Sequence, residues 1–315
     1  MGNEYHNYCA YQVELWHNCN NSCSFCYLNK ERILLNTEQR KSAIHKTIQI
    51  IENLPPEYDA FGLIGGEFFQ GQLETTELKE TFKKLIHILD DKVSSGRLKQ
   101  VWITASLISK NQTDLYYCLK DIKNANRFLI CTSYDTNGRF KDFTERETWF
   151  LNVETVKKLS IPVHVQVITT SYFIEEALQT NILQRLKGLT SVDFKLPTPQ
   201  REYYLHILDA LSVEEYRRIL KNTMTDSKFF IQDRKLFFKF LNLLKDIFGS
   251  EKLKAFASNE VRSKTLNILT KDIILQDRWT ETAKENAPCG HPWDSYCYLD
   301  SNKCTRCDAL LLLED

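Results

Sequence analysis

The chain has 315 residues, with 41 Lys and Arg against 41 Asp and Glu, so its formal net charge is zero. Hydrophobic residues make up 43% and charged residues 26%, with Gly 10 and Pro 7, which excludes a disordered or collagen-like chain. The neutral total gives no support to nucleic-acid binding, and the length allows one large domain or two ordinary ones.

The first two hundred residues alternate between strand and helix patterns. Residues 11–16 alternate apolar and polar side chains and predict a strand, and the polar residues 18–24 predict a loop. The later predicted strands are 60–64, 100–107, 128–134, 163–169 and 192–196, and the predicted helices are 37–52, 78–89, 115–122, 147–159 and 174–186. This alternation predicts an α/β fold, a partial (β/α)6 barrel of parallel strands with its helices outside.

In barrels of this kind the ligand site lies at the carboxyl ends of the strands. Here these ends carry polar or glycine residues, which we expect to meet at one mouth. They are the 18–24 loop, Gly65-Gly66-Glu67, Ser106, Ser133-Tyr134-Asp135, Thr169-Thr170 and Pro197-Thr198.

The alternation stops near residue 200. Residues 213–220 and 236–248 predict helices, and the second has the apolar spacing of a helix that packs on the barrel. Its lysines and aromatic residues also allow a nucleic-acid surface, which is the less favoured interpretation. We divide the chain into a partial barrel at 1–199, a helical extension at 200–280 and a Cys-rich segment at 281–315.

Ten cysteines in one chain require an explanation. The first ten residues lack the features of a signal peptide, and no window approaches 18 apolar residues, so we expect a cytoplasmic protein without a membrane span. In that compartment clustered cysteines more often bind metal or do redox work than form disulfides. Cys9, Cys118 and Cys131 stand alone and are expected to be small buried hydrophobes.

Cys19, Cys23 and Cys26 have the spacing C-x3-C-x2-C. Thiolates are soft ligands that suit iron–sulfur clusters and zinc. A structural zinc site takes four ligands, so a set of three cysteines does not complete one. Three protein ligands on a four-iron cube would leave one iron open for chemistry.

This motif resembles that of the radical S-adenosylmethionine (radical SAM) superfamily, over roughly residues 9–199. The resemblance includes a strand before the first cysteine, the aromatic Tyr27 after the third, and Gly65-Gly66-Glu67 where the family carries a GGE-type motif. It implies that the three cysteines ligate a 4Fe-4S cluster and that S-adenosylmethionine chelates the fourth iron. It also implies reductive cleavage to a 5′-deoxyadenosyl radical that abstracts hydrogen from a substrate.

The resemblance implies further cofactor contacts. Gly65 and Gly66 would let the backbone approach the methionine group, and Glu67 would accept a hydrogen bond from its ammonium group. Ser133 and Asp135 would form the family's polar strand end near the ligand, although they also fit a simple turn.

Two polar residues of the last predicted strands are further candidates. Gln166 would reach the ribose or the substrate, or else pack inside the barrel. Lys195 would contact a carboxylate of S-adenosylmethionine or of the substrate, or else extend to solvent. His17 and His164 are expected to be hydrogen-bonded structural residues rather than ligands.

Cys289, Cys297, Cys304 and Cys307 form a second set, with the spacing C-x7-C-x6-C-x2-C. Four thiolates complete either a zinc site or a second 4Fe-4S cluster. The segment resembles the auxiliary-cluster extensions of twitch or SPASM-like type, which favours the cluster, although a full SPASM domain has seven cysteines. Residues 296–304 predict a hairpin.

These features favour a radical SAM enzyme of unknown substrate, with a peptide or protein as the first candidate and a nucleoside or nucleic-acid base as the alternative. A low-potential electron donor such as flavodoxin or ferredoxin is expected as a partner. The rival class is a non-enzymatic binding module held together by two zinc ions.

Overall fold

The chain is organised around one sheet, described in a computed structural model that covers residues 9–21, 23, 26, 33–189, 191–195, 234–250, 263–267 and 273–275. Its strands are β1 (Ala10–Glu14), β2 (Ala60–Ile64), β3 (Gln100–Thr104), β4 (Phe128–Tyr134), β5 (Val163–Ile168), β6 (Ser191–Lys195), β7 (Ser263–Asn267) and β8 (Ile273–Leu275). Their order is β6-β5-β4-β3-β2-β1-β7-β8, and all neighbours are parallel except β7 and β8. Within this part of the chain β6 and β8 do not pair, so the sheet is open and the partial barrel is confirmed.

Helices follow each of the first five strands. They are α1 (Thr37–Glu52), α2 (Thr76–Ser94), α3 (Thr113–Leu119), α4 (Phe143–Lys158), α5 (Ser171–Gln179) and α6 (Ile182–Lys187), and α7 (Arg234–Phe248) comes later in the chain. Asn36 and Gln39 form a reciprocal capping box at the start of α1. Thr75, Asp142 and Thr170 cap α2, α4 and α5. Among the described residues, no helix has both the length and the apolar character needed to cross a membrane.

The two faces of the sheet differ in polarity, as β5 illustrates. Val163, Val165 and Val167 are fully buried in the hydrophobic core that the helices share with one face of the sheet. His164 and Gln166 alternate with them and are half-buried on the opposite face, here called the inner face. The inner face therefore carries the polar side chains that are available to a ligand.

Most predicted elements match the structure to within a few residues, and two differ for clear reasons. The predicted single helix at 174–186 is wrong, because Thr180 is extended and its hydroxyl accepts a hydrogen bond from Ile182 N at the start of α6. The predicted strand at 100–107 ends at Thr104, and Leu107 then turns the chain with a φ of +57°.

The extension from residue 200 contains more than helix. Strands β7 and β8 were not predicted, and β7 adds to the sheet beside β1. Helix α7 packs against α5 and α6 and buries Phe240, Leu241 and Leu244, which confirms the amphipathic interpretation. The predicted helix at 213–220 and hairpin at 296–304 lie outside the described residues.

The isolated cysteines have three different environments. Cys118 is buried, as expected, and its burial raises the pKa of the thiol to about 12. The expectation is wrong for Cys9, which is exposed at the start of β1, where its backbone N–H donates to Asp59. Cys131 is half-buried on the inner face because the alternation of β4 places it there.

Candidate functional site

The cysteine trio (Cys19, Cys23 and Cys26) follows β1 at its carboxyl end. Cys23 is buried, and Cys19 and Cys26 are half-buried. The backbone N–H of Cys26 donates to the carbonyl of Cys23 at 3.1 Å, and Asn21 N donates to Cys19 Sγ at 3.4 Å. The trio therefore lies at the predicted mouth, with one thiol facing the protein and two nearer the solvent.

The chain on the two sides of the trio is joined by side-chain hydrogen bonds. Asn18 donates to Leu35 O at 3.0 Å and accepts from Leu35 N at 2.9 Å. His17 Nδ1 accepts from Ile33 N at 3.3 Å, in line with the expectation that it is a hydrogen-bonded structural residue. These contacts hold the two ends of the cysteine segment together.

The Gly65-Gly66-Glu67 turn lies directly against the residues that lead into the trio. Gly66 N donates to Trp16 O at 2.7 Å, and Glu67 N donates to Asn18 O at 2.8 Å. The indole N–H of Trp16 returns a bond to Glu67 O at 2.9 Å. Three hydrogen bonds thus connect the turn to the chain immediately before Cys19.

Both glycines are required by this close approach. Gly65 has a φ of +144°, and a Cβ on it would lie 2.4 Å from Trp16 O. A Cβ on Gly66 would lie 2.2 Å from Asn18 O. The chain's own backbone therefore occupies the space that a side chain would need. The predicted approach of a methionine group to these glycines stays a prediction.

The Glu67 carboxylate is buried and accepts three backbone hydrogen bonds. Its Oε1 accepts from Phe68 N at 3.0 Å and Phe69 N at 2.9 Å, and its Oε2 accepts from Ser106 N at 2.7 Å. This carboxylate joins the end of β2 to the end of β3. Its predicted contact with an ammonium group remains a prediction, alongside this structural role.

Arg139 was not singled out in the sequence, yet it lies at the centre of the mouth. Its Nη1 donates to Ser133 Oγ at 2.9 Å and lies 4.0 Å from Cys23 Sγ. Its Nη2 donates to Ser106 O at 2.9 Å. Arg139 comes six residues after Ser133, in a polar turn. Nothing in the sequence indicates that its side chain folds back onto Ser133.

Asp135 directly follows β4 and carries a buried carboxyl group. It is 1% exposed, and burial raises its pKa to about 6, against the opposing effects of backbone N–H groups and the Arg139 charge. One oxygen accepts from Gly138 N, whereas Oδ1 has no hydrogen-bond partner among the described residues. A buried acceptor is thus left over at the predicted ligand edge.

The inner face of β4 to β6 carries two rows of polar side chains. Ser133, Gln166 and Asp193 are neighbours in the strand register. The His164 ring lies between Ser191 Oγ, 3.0 Å from Nδ1, and Asp193 Oδ2, 3.4 Å from Nε2. The structure therefore brings Ser133 and Gln166 together and places His164 as a bonded residue beneath them.

A polar groove of about 380 Å³ opens beside the trio. It lies between the residues that follow β2 and β3 and the first turns of α4. Its lining includes Asn20, Asn21, Gln70, Ser109, Lys110 and Thr148.

The three thiolates of the trio fit an iron–sulfur cluster in their chemistry, because such clusters are held by Cys thiolates. Among the residues that the structure describes, no three His, Cys, Asp or Glu side chains are placed to hold one ion. A cluster distributes its thiolate ligands over different irons, so convergence on one point is not needed. The unpartnered oxygen of Asp135 also fits a bound group that supplies a hydrogen-bond donor.

Several predicted site residues cannot be placed in this geometry. Lys195 ends the backbone of β6, in register with Ile168. Tyr27 and the four C-terminal cysteines (Cys289, Cys297, Cys304 and Cys307) lie outside the described residues.

The similarity of this chain to known proteins lies in its fold. No protein-family model and no curated protein matches the sequence. The solved structure of native anSMEcpe with bound AdoMet (S-adenosylmethionine) and the Cp18Cys peptide matches with a TM-score of 0.50 at 17% identity, over 79% of this chain and 62% of that one. Streptococcus suis SuiB bound to the precursor peptide SuiA matches with a TM-score of 0.44 at 12% identity, over 84% of this chain and 58% of that one. The chain spans less than two thirds of either protein, and it shares the α/β barrel fold of the AdoMet-bound anSMEcpe structure.

Proposed function

We propose that this protein is a radical SAM enzyme, in which the cysteine trio holds a 4Fe-4S cluster and S-adenosylmethionine binds beside it. The observation that carries the proposal is the contact between the trio and the Gly65-Gly66-Glu67 turn, through Trp16 and Asn18. Two motifs that lie about forty residues apart in the sequence meet at one mouth, as the radical SAM resemblance requires. The shared fold with a protein solved with bound AdoMet supports it.

When bound and reduced, the cluster and S-adenosylmethionine would supply a 5′-deoxyadenosyl radical able to remove a hydrogen atom from the substrate. The chain's own residues bind the cluster and S-adenosylmethionine and orient them toward the substrate. The backbone of Gly66 and Glu67 fixes the segment before Cys19, and the buried side of the trio at Cys23 limits access of water.

Three side chains of the mouth are available to the cofactor. The Oδ1 atom of Asp135 would accept a hydrogen bond from the ammonium group or from a ribose hydroxyl of S-adenosylmethionine. Ser133 and Gln166 present hydrogen-bonding groups on the same inner face. Their neighbouring register positions suit one ligand that lies across β4 and β5.

We favour a peptide or protein as the substrate. The support is that anSMEcpe, which has the same fold, was solved with a peptide bound. The groove beside the trio also offers amide and hydroxyl groups that complement a peptide backbone. A nucleoside or a nucleic-acid base remains the alternative for the same chemistry.

The C-terminal cysteines and the electron supply complete the proposal. Cys289, Cys297, Cys304 and Cys307 would hold a second 4Fe-4S cluster, with zinc as the alternative. A flavodoxin or ferredoxin would deliver the electron. Substitution Cys304→Ala should remove about four irons per chain in the first case and one zinc ion in the second.

The test is reconstitution of the purified chain with iron and sulfide without oxygen. With dithionite and S-adenosylmethionine, we expect release of 5′-deoxyadenosine even without substrate, measured by chromatography. Cys23→Ala should abolish this release and remove about four irons. Cys9→Ala, which alters an exposed thiol just before β1, should leave both unchanged.

Two results would refute the proposal. One is a colourless protein that binds zinc alone, which would favour the binding module. The other is wild-type release of 5′-deoxyadenosine by the Cys23→Ala protein.

A further inference from the structure

The guanidinium of Arg139 is a fixed positive charge beside one cysteine of the trio. Its Nη1 lies 4.0 Å from Cys23 Sγ. The same guanidinium is anchored at two other points, Ser133 Oγ and Ser106 O, each at 2.9 Å. Ser106 is itself held by Glu67 through a 2.7 Å bond, so one of the two acceptors of Arg139 is fixed in place.

Arg139 forms no ion pair with the residues that the structure describes, although its charge lowers the pKa of the nearby buried Asp135 carboxyl. Among the described residues, no carboxylate lies within 4.0 Å of its guanidinium nitrogens, and its Nε is buried without a hydrogen-bond partner. The side chain is half-buried, so solvent screens the charge less than it would at the surface. Arg139 thus differs from Arg146 and Arg185, which pair with Glu176 and Glu147.

A positive charge at this position acts on the redox balance of the site. Reduction adds one negative charge to a cluster, and a nearby cation stabilises the more negative state. Hydrogen bonds to the sulfur atoms of a cluster and nearby charge both tune its potential. Arg139 supplies an N–H group and a charge on the Cys23 side.

We propose that Arg139 is a positioning residue, which orients Cys23 and raises the reduction potential of the cluster that the trio holds. This inference rests on the proposed function, since it needs a cluster at the trio. It adds a role for a residue that the motif itself does not contain. The planar guanidinium suits this role because it reaches Ser133, Ser106 and Cys23 at once.

The test is a redox titration of the reconstituted full chain, followed by electron paramagnetic resonance without S-adenosylmethionine. In Arg139→Met the side chain keeps its length but loses its charge, and we expect the ratio of reduced to oxidised cluster to fall about tenfold at a fixed potential. For a one-electron couple this is a shift of about 59 mV to lower potential. Arg139→Lys keeps the charge and should recover most of the shift.

Lys46→Met is the matched control. It removes one positive charge from the exposed surface of α1, outside the mouth. We expect its ratio of reduced to oxidised cluster to change less than about twofold, because the side chain is exposed and screened by water.

The outcomes separate the inference from the proposed function. If the wild-type chain builds no iron–sulfur cluster at the trio, the proposed function fails. If the cluster forms and Arg139→Met has the wild-type potential, the inference fails. Equal loss of iron in Arg139→Met and Arg139→Lys, with a lowered unfolding temperature in both, would make Arg139 a purely structural residue and would also overturn it.

Discussion

The two sides of the mouth are built in different ways. At the ends of β1 to β3 the contacts are mainly between backbone groups, through Gly66, Glu67 and the residues before Cys19. At the ends of β4 to β6 they are made by side chains, with Arg139 and Glu176 as the main centres. Backbone contact demands particular residues such as glycine, whereas side-chain contact can be made from many positions in the sequence. The first side is therefore visible as a motif, and the second is not.

The backbone-built side should break most easily at Gly66. In Gly66→Ala the new Cβ would meet Asn18 O at 2.2 Å, and backbone atoms cannot move aside locally. We expect a loss of stability of about 4 kcal/mol and loss of iron from the reconstituted chain. Urea unfolding and iron analysis provide the measurements.

Gly71→Ala is the control for that substitution. Gly71 also has a positive φ, +79°, but its Cβ would meet nothing within 4 Å. Its loss of stability should be about 1 kcal/mol, with iron retained. Equal effects at the two glycines would show that the close approach to Asn18 is unimportant.

Glu67→Gln tests the same side through its carboxylate. The amide keeps one acceptor oxygen and turns an NH2 group toward buried backbone donors that now lack a partner. We expect a loss of about 3 kcal/mol in urea unfolding. Glu77→Gln, on the exposed surface of α2, should change stability by less than about 0.5 kcal/mol. A neutral Glu67→Gln would contradict the joining role of this carboxylate.

Asp135→Asn tests the side of the mouth at β4 to β6 through the pH dependence of stability. The pKa of Asp135 is raised to about 6 in the folded chain, above its ordinary value of 3.8, so the folded state binds the proton more tightly than the unfolded state. This group therefore contributes stability at low pH that is lost as pH rises from about 4 to about 6. The loss is on the order of 2 to 3 kcal/mol.

The asparagine variant carries no such charge. Relative to the wild type, Asp135→Asn should thus become more stable as pH rises through this window, which thermal unfolding at several pH values would measure. A difference between the two proteins that is independent of pH would contradict the buried, unpartnered state of the carboxylate.

Glu176→Gln should have the smallest effect. Glu176 accepts from Arg146 at 2.6 Å and from Thr136 at 2.6 Å, in a half-buried network that an amide oxygen can partly keep. We expect a loss of about 1 kcal/mol in urea unfolding. Glu147→Gln, whose partner Arg185 is more exposed, should lose less. If Glu176→Gln lost as much stability as Glu67→Gln, the proposed contrast between the two sides of the mouth would be wrong.

The fold was predictable where local patterns and long-range contacts agree. Buried strands such as Ala60–Ile64 and the capped helix Thr37–Glu52 have the predicted bounds, because apolar spacing and caps act within a few residues. The short strands Ser263–Asn267 and Ile273–Leu275 have no comparable pattern. The first pairs with β1, about 250 residues earlier, and the second pairs with the first. Their formation is decided by tertiary contact.

The site divides in the same way. The meeting of the trio with Gly65-Gly66-Glu67 followed from the order of the strands. The reason for the two glycines could not be predicted in this way. The space beside them is occupied by the backbone of Trp16 and Asn18 and is not left open for a ligand. Arg139 could not be predicted, since its position depends on a turn that brings it back to Ser133 and Ser106.

Ser106 has a mechanical consequence. Its N–H donates to Glu67, its carbonyl accepts from Arg139 and Thr132, and its hydroxyl contacts Gln70. One residue, through its two flanking peptide groups, thus connects the glycine turn to the guanidinium beside Cys23. Because both bonds are made by this residue, we expect a change at Glu67 to alter the position of the guanidinium beside Cys23 as well.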